Sequence, residues 1–297
     1  MIGPDRLSRV TAAAVVPEQV VVYVRAVTES RPLMVGDCVG YALGSRLVLV
    51  GYPLRDPHDS TAMAAAVDEA LKSTGVERIT VIGPALPPQA PVNVLFAEDC
   101  YYSLPVPVPA PGQKLRNLLK RARREVSIVQ GRQMEKDHIA LVQQYLDERP
   151  LASGTRQIFA QLARYIEHST GSLVVSGRLA DGRLAAFAVG EFGALTTAFF
   201  MFCFRDPRLA PPGSADLMLW GLLEEAHRRG QTRMNLGLRV NAGIGFFKRK
   251  WGAEPFLPYR EASWELKSRP FLSKLGSFVI KKASRTAGPS RKKQRVP

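Results

Sequence analysis

The chain has 297 residues, of which 46% are hydrophobic and 23% charged, a composition that fits a globular protein of two domains and excludes a disordered or fibrous chain. No apolar run approaches the roughly 20 residues of a bilayer-spanning helix, and the first residues show no basic-then-apolar signal pattern, so we expect a cytoplasmic protein. The three cysteines are widely separated without CxxC spacing, which predicts neither a disulfide framework nor a metal site.

Two similar units follow one another along the chain. In the first, a strand runs into Arg55-Asp56-Pro57, and a helix at about 61–73 with Ser60 as its cap leads to a strand at 78–83. In the second, a strand at 195–204 runs into Arg205-Asp206-Pro207, and a helix at about 215–229 with Ser214 as its cap leads to a strand at 233–238. This order of strand, RDP, helix, glycine and strand predicts a duplication of α/β domains.

These patterns predict an N-terminal domain over residues 1–103, a proline-rich linker over 104–113, a second domain over 114–266 and a basic tail over 267–297. The second domain is expected to begin with helices at about 113–125, 135–148 and 155–168. A hairpin with strands at 172–179 and 183–191 follows. The fold class is α/β, with mixed sheets flanked by helices.

The net charge of +15 is concentrated in two places, which we expect to attract polyanions such as RNA phosphates or an anionic lipid surface. One is the helix at 113–125, whose cations are Lys114, Arg116, Lys120, Arg121, Arg123 and Arg124. The other is the tail, where Phe271, Leu272, Leu275, Phe278 and Val279 have amphipathic helical spacing. The tail helix either lies on anionic lipid or docks on its own domain, and a disordered, solubilising tail is the remaining alternative.

The most informative segment follows the strand at 233–238. Asn241 is expected to cap a short helix from about Gly243 to Lys250, with Ile244, Phe247 and Trp251 facing the core. Lys248 then lies at the edge of the inward face, where it either extends to solvent or holds an anion.

Phe247-Lys248 followed by Trp251-Gly252-Ala253-Glu254-Pro255 resembles the Phe-Lys…Trp-Gly signature of Fem-type proteins, a branch of the GNAT superfamily. That branch contains aminoacyl transferases and is related to lipid lysyl transferases. The resemblance implies two tandem GNAT-like domains, the first degenerate, and transfer of an acyl or aminoacyl group to an amine or hydroxyl. It also implies that Lys248, with Phe247 beside it, stabilises an oxyanion, and that the co-substrate is aminoacyl-tRNA or acyl-CoA, with no tightly bound cofactor.

The sequence departs from ordinary acetyl-CoA enzymes of this superfamily. Their glycine-rich pyrophosphate loop corresponds to Arg208–Ala215, which contains two prolines that lack amide donors. At the sequence position where those enzymes tend to have a general-acid tyrosine, four residues before the terminal glycine, this chain has Lys248. CoA is not excluded, because the helix start at Gly213-Ser214 is still a candidate anion site.

Further site residues are weaker candidates. Glu191 and Asp206, at strand ends, are candidate bases for the incoming amine. Arg205 and Arg208 either hold phosphate or stabilise a turn, and Asn241 completes the candidate cofactor-binding set. Expected partners are tRNA, an anionic membrane at which the protein is peripheral, and a small-molecule, peptide or lipid acceptor. The alternatives are a lipid-surface aminoacyl transferase and a non-catalytic RNA-binding protein.

Overall fold

The computed structural model describes residues 3–92 and 94–266. The basic tail and its predicted amphipathic helix lie outside the described residues. The helices are α1 (Pro4–Ala12), α2 (Val21–Thr28), α3 (Ser60–Leu71), α4 (Gln113–Glu125), α5 (Lys136–Glu148), α6 (Ser153–Ala160), α7 (Leu162–His168), α8 (Ser214–Arg228) and α9 (Ala242–Lys250). The strands are β1 (Arg31–Val35), β2 (Cys38–Leu43), β3 (Arg46–Val50), β4 (Arg78–Gly83), β5 (Leu95–Pro105), β6 (Ser127–Gly131), β7 (Ser172–Arg178), β8 (Leu184–Glu191), β9 (Thr197–Arg205), β10 (Arg233–Leu238) and β11 (Glu254–Glu265).

All these strands belong to one sheet, in the order β1-β2-β3-β4-β11-β5-β10-β9-β8-β7-β6. The final strand, β11, leaves the second half of the chain and inserts between β4 and β5 of the first half. The two halves therefore share a continuous backbone ladder. The proline-rich segment starts inside this ladder, since β5 ends at Pro105 and Leu104 is buried.

The predicted duplication is present as two β-α-β units with parallel strands, β3–α3–β4 and β9–α8–β10. Both predicted caps are wrong by one residue. The carboxylate of Asp59, not Ser60, accepts hydrogen bonds from the backbone at Thr61 and Ala62. Gly213 holds the cap position of α8, and Ser214 is the first residue of the helix. The Ser214 hydroxyl does not cap the helix but donates to the carbonyl of Pro211.

The two parallel pairs differ where the strands end. The β3 and β4 pairing is complete, from Arg46 opposite Arg78 to Val50 opposite Ile82. In contrast, β9 and β10 pair only as far as Phe199 opposite Asn235. Beyond that point β9 continues to Arg205 and β10 to Leu238 without pairing to each other. We call this opening at the carboxyl ends of β9 and β10 the split.

Apolar side chains cover both faces of the second half. One face packs against α4 and α8 through a cluster that includes Leu119, Ala188, Leu222 and Trp251. The opposite face packs against α5 and α7 through Phe187 and other residues. The split therefore opens at the end of a sheet that is buried on both sides.

Candidate active site

Lys248 is buried beside the end of β10, with 3% of its surface exposed. Its Nζ donates hydrogen bonds to the carbonyl oxygens of Gly237, at 2.6 Å, and Leu238. It also lies 5.7 Å from the centre of the Tyr102 ring. An ammonium group has three N–H donors, and no third acceptor for Nζ exists within the residues that the structure describes. Lys248 therefore does not extend to solvent, and one of its three donors has no partner among the described residues.

A bulge in β10 turns these carbonyls toward Lys248. Between Asn235 and Leu238 the strand has one more residue than the facing part of β5. Gly237 takes up the irregularity with φ of 76°, in the left-handed region that favours glycine. The buried amide of Asn235 holds the bulge, since it accepts from the Gly237 N–H at 2.7 Å and donates to the Val15 carbonyl at 2.8 Å.

Asp99 on β5 fixes the loop that follows. Its carboxylate accepts hydrogen bonds from the backbone N–H groups of Arg239, at 3.2 Å, and Val240, at 2.8 Å. Asn241 then caps α9 by accepting from the Ile244 N–H at 3.0 Å, as predicted. The distant Asp99 thus determines where α9 begins and where Lys248 is placed.

Burial lowers the pKa of Lys248 to about 8, because the interior disfavours the charged form. The nearby carboxylate of Asp99 opposes this effect and raises the pKa. The ammonium is consequently charged at neutral pH but loses its proton more readily than an exposed lysine.

Trp251 joins the two helices that flank the split. Its indole N–H donates to the buried carboxylate of Asp216, in the first turn of α8, at 2.8 Å, and Nζ of Lys250 lies 2.6 Å from the same oxygen. Phe247 stacks on Phe200 of β9 with ring centres 6.2 Å apart. Phe247 and Trp251 thus pack inward as predicted. Ile244 does not, with 37% of its surface exposed.

The structure does not bring Glu191 to Lys248. Glu191 pairs with Phe199, beside the closed part of β9 and β10. Its buried carboxylate accepts from the hydroxyls of Tyr165 and Ser169, at 2.6 Å each, and from the Gly193 N–H at 2.9 Å. It lines a cavity of about 610 Å³ between α1, α2 and α7, which is lined by no residue of the split. The bonded carboxylate has a structural role there.

The RDP turn after β9 is also structural. The carboxylate of Asp206 accepts from the backbone N–H groups of Arg208, at 2.7 Å, and Leu209, at 3.0 Å, so it closes the turn. Arg205 and Arg208 are exposed and make no ion pair with a described residue.

The start of α8 is occupied by the protein's own groups. Gly213 has φ of 91°, and a Cβ there would lie 2.9 Å from Cγ of Leu118 on α4. The Ser214 hydroxyl is used by Pro211, and the Asp216 carboxylate stands in the first turn. That carboxylate is turned to Trp251 and Lys250, which compensate its charge within the protein.

The predicted basic helix is confirmed as α4, with Leu115, Leu119 and Ala122 buried. All six of its predicted cations are exposed: Lys114, Arg116, Lys120, Arg121, Arg123 and Arg124. Arg123 lies over the ring of Trp220 on α8, 5.4 Å from its centre. Because Leu118 also contacts Gly213, the basic surface adjoins the start of α8 and hence the end of the sheet that carries the split.

Glu135, Asp137 and His138 form a cluster whose ligand atoms lie within 4.8 Å of one another. The guanidinium of Arg178 pairs with both carboxylates at 2.6 Å. His138 accepts from the Glu135 N–H and bonds to Ser176. Arg178 supplies the positive charge that a metal would otherwise bring.

Sequence reasoning missed Asp99, Asp216 and Asn235. Asp99 is 140 positions away from the loop that it holds, and no local pattern marks it. The signal for Asp216 was present but unused, because an acidic residue in the first turn of a helix is a common and usually exposed feature.

Comparison with solved structures reveals the same fold at low sequence identity. FemX superposes with a TM-score of 0.57 at 9% identity, over 88% of this chain and 96% of that chain. L-PGS from Bacillus licheniformis superposes with a TM-score of 0.53 at 15% identity, over 84% of this chain and 88% of that chain. The C-terminal domain of a lysylphosphatidylglycerol synthetase from Agrobacterium fabrum superposes with a TM-score of 0.54 at 14% identity, over 86% of this chain and 91% of that chain. No protein-family model and no curated protein matches the sequence.

These similarities establish the fold class. The chain has the fold of FemX and of these lysylphosphatidylglycerol synthetase structures, as two halves within one sheet, and the α/β fold class expected from the sequence is confirmed. None of the helices that the structure describes combines the length and apolar character needed to span a bilayer.

Proposed function

We propose that the chain is a transferase that moves an activated acyl or aminoacyl group to an amine or hydroxyl acceptor at the split. The lone pair of the acceptor attacks the carbonyl carbon of the donor ester or thioester, and the carbonyl electrons move onto oxygen. Collapse of this oxyanion expels the donor's alkoxide or thiolate, which takes up the proton released by the acceptor.

Lys248 carries this proposal. It is a buried ammonium at the carboxyl end of β10, facing Tyr102 of β5, it is held by two carbonyls, and its third donor is unused among the described residues. A fixed cation in a site of low dielectric stabilises a developing oxyanion by several kcal/mol. No proton transfer by Glu191 or Asp206 is needed, since both carboxylates are engaged elsewhere.

We propose aminoacyl-tRNA as the donor. Against acyl-CoA stand the two prolines just before α8, which lack amide donors, and the Ser214 N–H, which is used by the Pro211 carbonyl, where a pyrophosphate would need free amides. In favour of tRNA, the exposed cations of α4 adjoin that same end of the sheet. A basic surface of this kind binds nucleic-acid phosphates without reading sequence. The acceptor is an amine or hydroxyl of a small molecule, a peptide or a lipid, and a cytoplasmic, membrane-peripheral location fits each of these.

The test uses the full chain with total tRNA charged with a mixture of labelled amino acids, and in parallel with labelled acetyl-CoA. A small primary amine or lipid vesicles serve as acceptors. We expect label to leave tRNA in an enzyme-dependent reaction that Lys248→Met abolishes and Lys72→Met, an exposed control, leaves intact.

Three outcomes would contradict parts of this assignment. Turnover of acetyl-CoA alone would identify CoA as the donor. Unchanged transfer by Lys248→Met would remove Lys248 from the mechanism. Tight tRNA binding without turnover of either donor would favour the non-catalytic RNA-binding alternative.

A further inference from the structure

We propose that the start of α9 docks on an anionic lipid bilayer. The surface, here called the α9 rim, consists of the apolar side chains of Val240 and Phe246 together with Arg239 and Arg249. Val240 and Phe246 expose 70% and 64% of their surfaces. The rim residues precede the basic tail in the sequence, and docking at the rim does not depend on the proposed chemistry of Lys248.

Val240 is held outward in an unfavourable conformation. Its φ is 59°, in the left-handed region that β-branched residues rarely adopt. The Asp99 carboxylate maintains this conformation by accepting the Val240 N–H. Strained backbone of this kind persists where surrounding contacts enforce it and is frequent at ligand-binding segments. Here the strain presents an apolar side chain to the exterior, where water gives it no favourable contact.

The two arginines form a matched cationic pair beside these apolar groups. A Cβ at Gly245 would lie 2.9 Å from Cγ of Arg239 and 3.2 Å from Nη1 of Arg249, so both side chains pack against the bare backbone there. No acidic residue occurs in the sequence from Arg239 to Ala253. Neither guanidinium pairs with a carboxylate in the described part of the chain. The Asp99 carboxylate reaches the rim through the N–H groups of Arg239 and Val240, and the two arginines still leave a net positive charge for an anionic partner.

The combination favours a lipid surface over RNA. Single-stranded RNA is bound by stacking on aromatic rings, and of the two apolar residues only Phe246 offers one. Aliphatic and aromatic side chains interspersed with arginine suit the boundary between headgroups and acyl chains, where the apolar groups insert and the guanidinium groups contact phosphates. Since Lys248 lies on the inward side of the same helix, docking would bring the split to the membrane surface.

The first experiment locates the contact. Phe246→Trp and Leu195→Trp are made in the full chain, which has three native tryptophans as a common background. Leu195 is 75% exposed and lies in the loop between β8 and β9. With phosphatidylcholine–phosphatidylserine vesicles containing brominated acyl chains, we expect a blue shift and quenching of the added fluorescence for Trp at 246 but not at 195. Equal quenching at both positions, or none at 246 when the protein is bound, would overturn the proposal.

The second experiment measures affinity. Arg239→Gln and Arg249→Gln should each weaken vesicle partitioning about fivefold, and Phe246→Ser about tenfold. The controls Arg46→Gln and Leu43→Ser alter exposed residues of the first half and should change nothing. Vesicles of phosphatidylcholine alone should bind weakly. If the arginine variants lose tRNA binding but keep vesicle binding, the rim is an RNA-binding surface and the proposal is wrong.

Discussion

Trp251 donates its indole N–H to the carboxylate of Asp216 across 2.8 Å, and this bond ties the end of α9 to the first turn of α8. The two helices flank the split, so the bond sets the position of α9 relative to the sheet. Lys248, about one helical turn before Trp251, is placed by the same contact. This gives the tryptophan of the Phe-Lys…Trp-Gly pattern a physical role.

Replacing Trp251 by phenylalanine should destabilise the protein. The ring is largely retained, but the buried Asp216 carboxylate loses a hydrogen bond and keeps only Lys250. We expect the free energy of unfolding to fall by about 1–3 kcal/mol, measured by urea denaturation. Trp264→Phe, at a half-buried tryptophan of β11, is the matched control and should cost less. An equal loss in both variants would argue against the bond to Asp216.

Transfer should require the protonated form of Lys248. Burial lowers its pKa to about 8, so the ammonium is present below that pH and is lost above it. We expect kcat measured with charged tRNA to fall as the pH rises through about 8. Lys248→Arg, whose guanidinium stays charged, should be slow but lack this fall. A wild-type rate that is flat between pH 7 and about pH 10 would contradict the role of the ammonium.

The same lowered pKa makes stability depend on pH. In the unfolded chain Lys248 has its ordinary pKa of 10.5. Between about pH 8 and 10.5 the unfolded state therefore binds more protons at this residue than the folded state does. The free energy of unfolding therefore rises with pH in this window. Relative to Lys248→Met, the wild type should gain up to about 3 kcal/mol between pH 7 and pH 11. Comparing the exposed Lys72→Met with the wild type should give no such trend.

Gly213→Ala should be more harmful than Gly182→Ala. Both glycines have φ in the left-handed region, at 91° and 84°, so both substitutions strain the backbone. Only at position 213 would the added Cβ also meet Leu118, at 2.9 Å from Cγ and 3.0 Å from its carbonyl oxygen. We expect an additional loss of about 1–3 kcal/mol for Gly213→Ala, visible as a lower melting temperature. Equal losses would show that α4 moves away without cost.

The exposed cations of α4 should make tRNA binding depend on salt. If the helix tracks phosphates, log Kd against log salt concentration should be steep, and each lost contact should reduce the slope by about 0.7–0.9. Lys120→Gln and Arg124→Gln are suitable because neither side chain makes an ion pair among the described residues. Arg46→Gln, in the first half, is the control. Slopes unchanged by the α4 variants would place tRNA elsewhere.

Local patterns predicted the elements of this protein well. The amphipathic spacing of Leu115, Leu119 and Ala122 predicted α4 with its observed bounds, and Asn241 was correctly predicted as the cap of α9. These features depend on residues within one or two helical turns of each other. The caps at Ser60 and Ser214 were misassigned because Asp59 and Gly213 compete for the same place.

Contacts between distant segments could not be predicted in this way. The insertion of β11 beside β4 depends on pairing between segments far apart in the sequence. The positions of Glu191 and Asp206 relative to Lys248 also depend on such long-range pairing, so the sequence could not show that they lie apart from it. Glu191 and Asp206 carry the right functional group at strand ends. Their hydrogen bonds to Ser169 and to the backbone of Leu209 give them structural roles instead.

The sequence by itself determined the α/β class, the duplicated strand-helix-strand unit and the basic helix, since each depends on short-range periodicity or on a compact motif. The role of Lys248, which rests on the resemblance of its motif, stays a prediction. The tertiary structure alone decided that the β9–β10 ladder opens after Phe199 while the β3–β4 ladder stays closed. It also decided that the Lys248 ammonium points into the protein. Its partners, the carbonyls of Gly237 and Leu238, are oriented by a bulge that Asn235 and Asp99 hold, and Asp99 reaches that loop only after β5 has paired with β10.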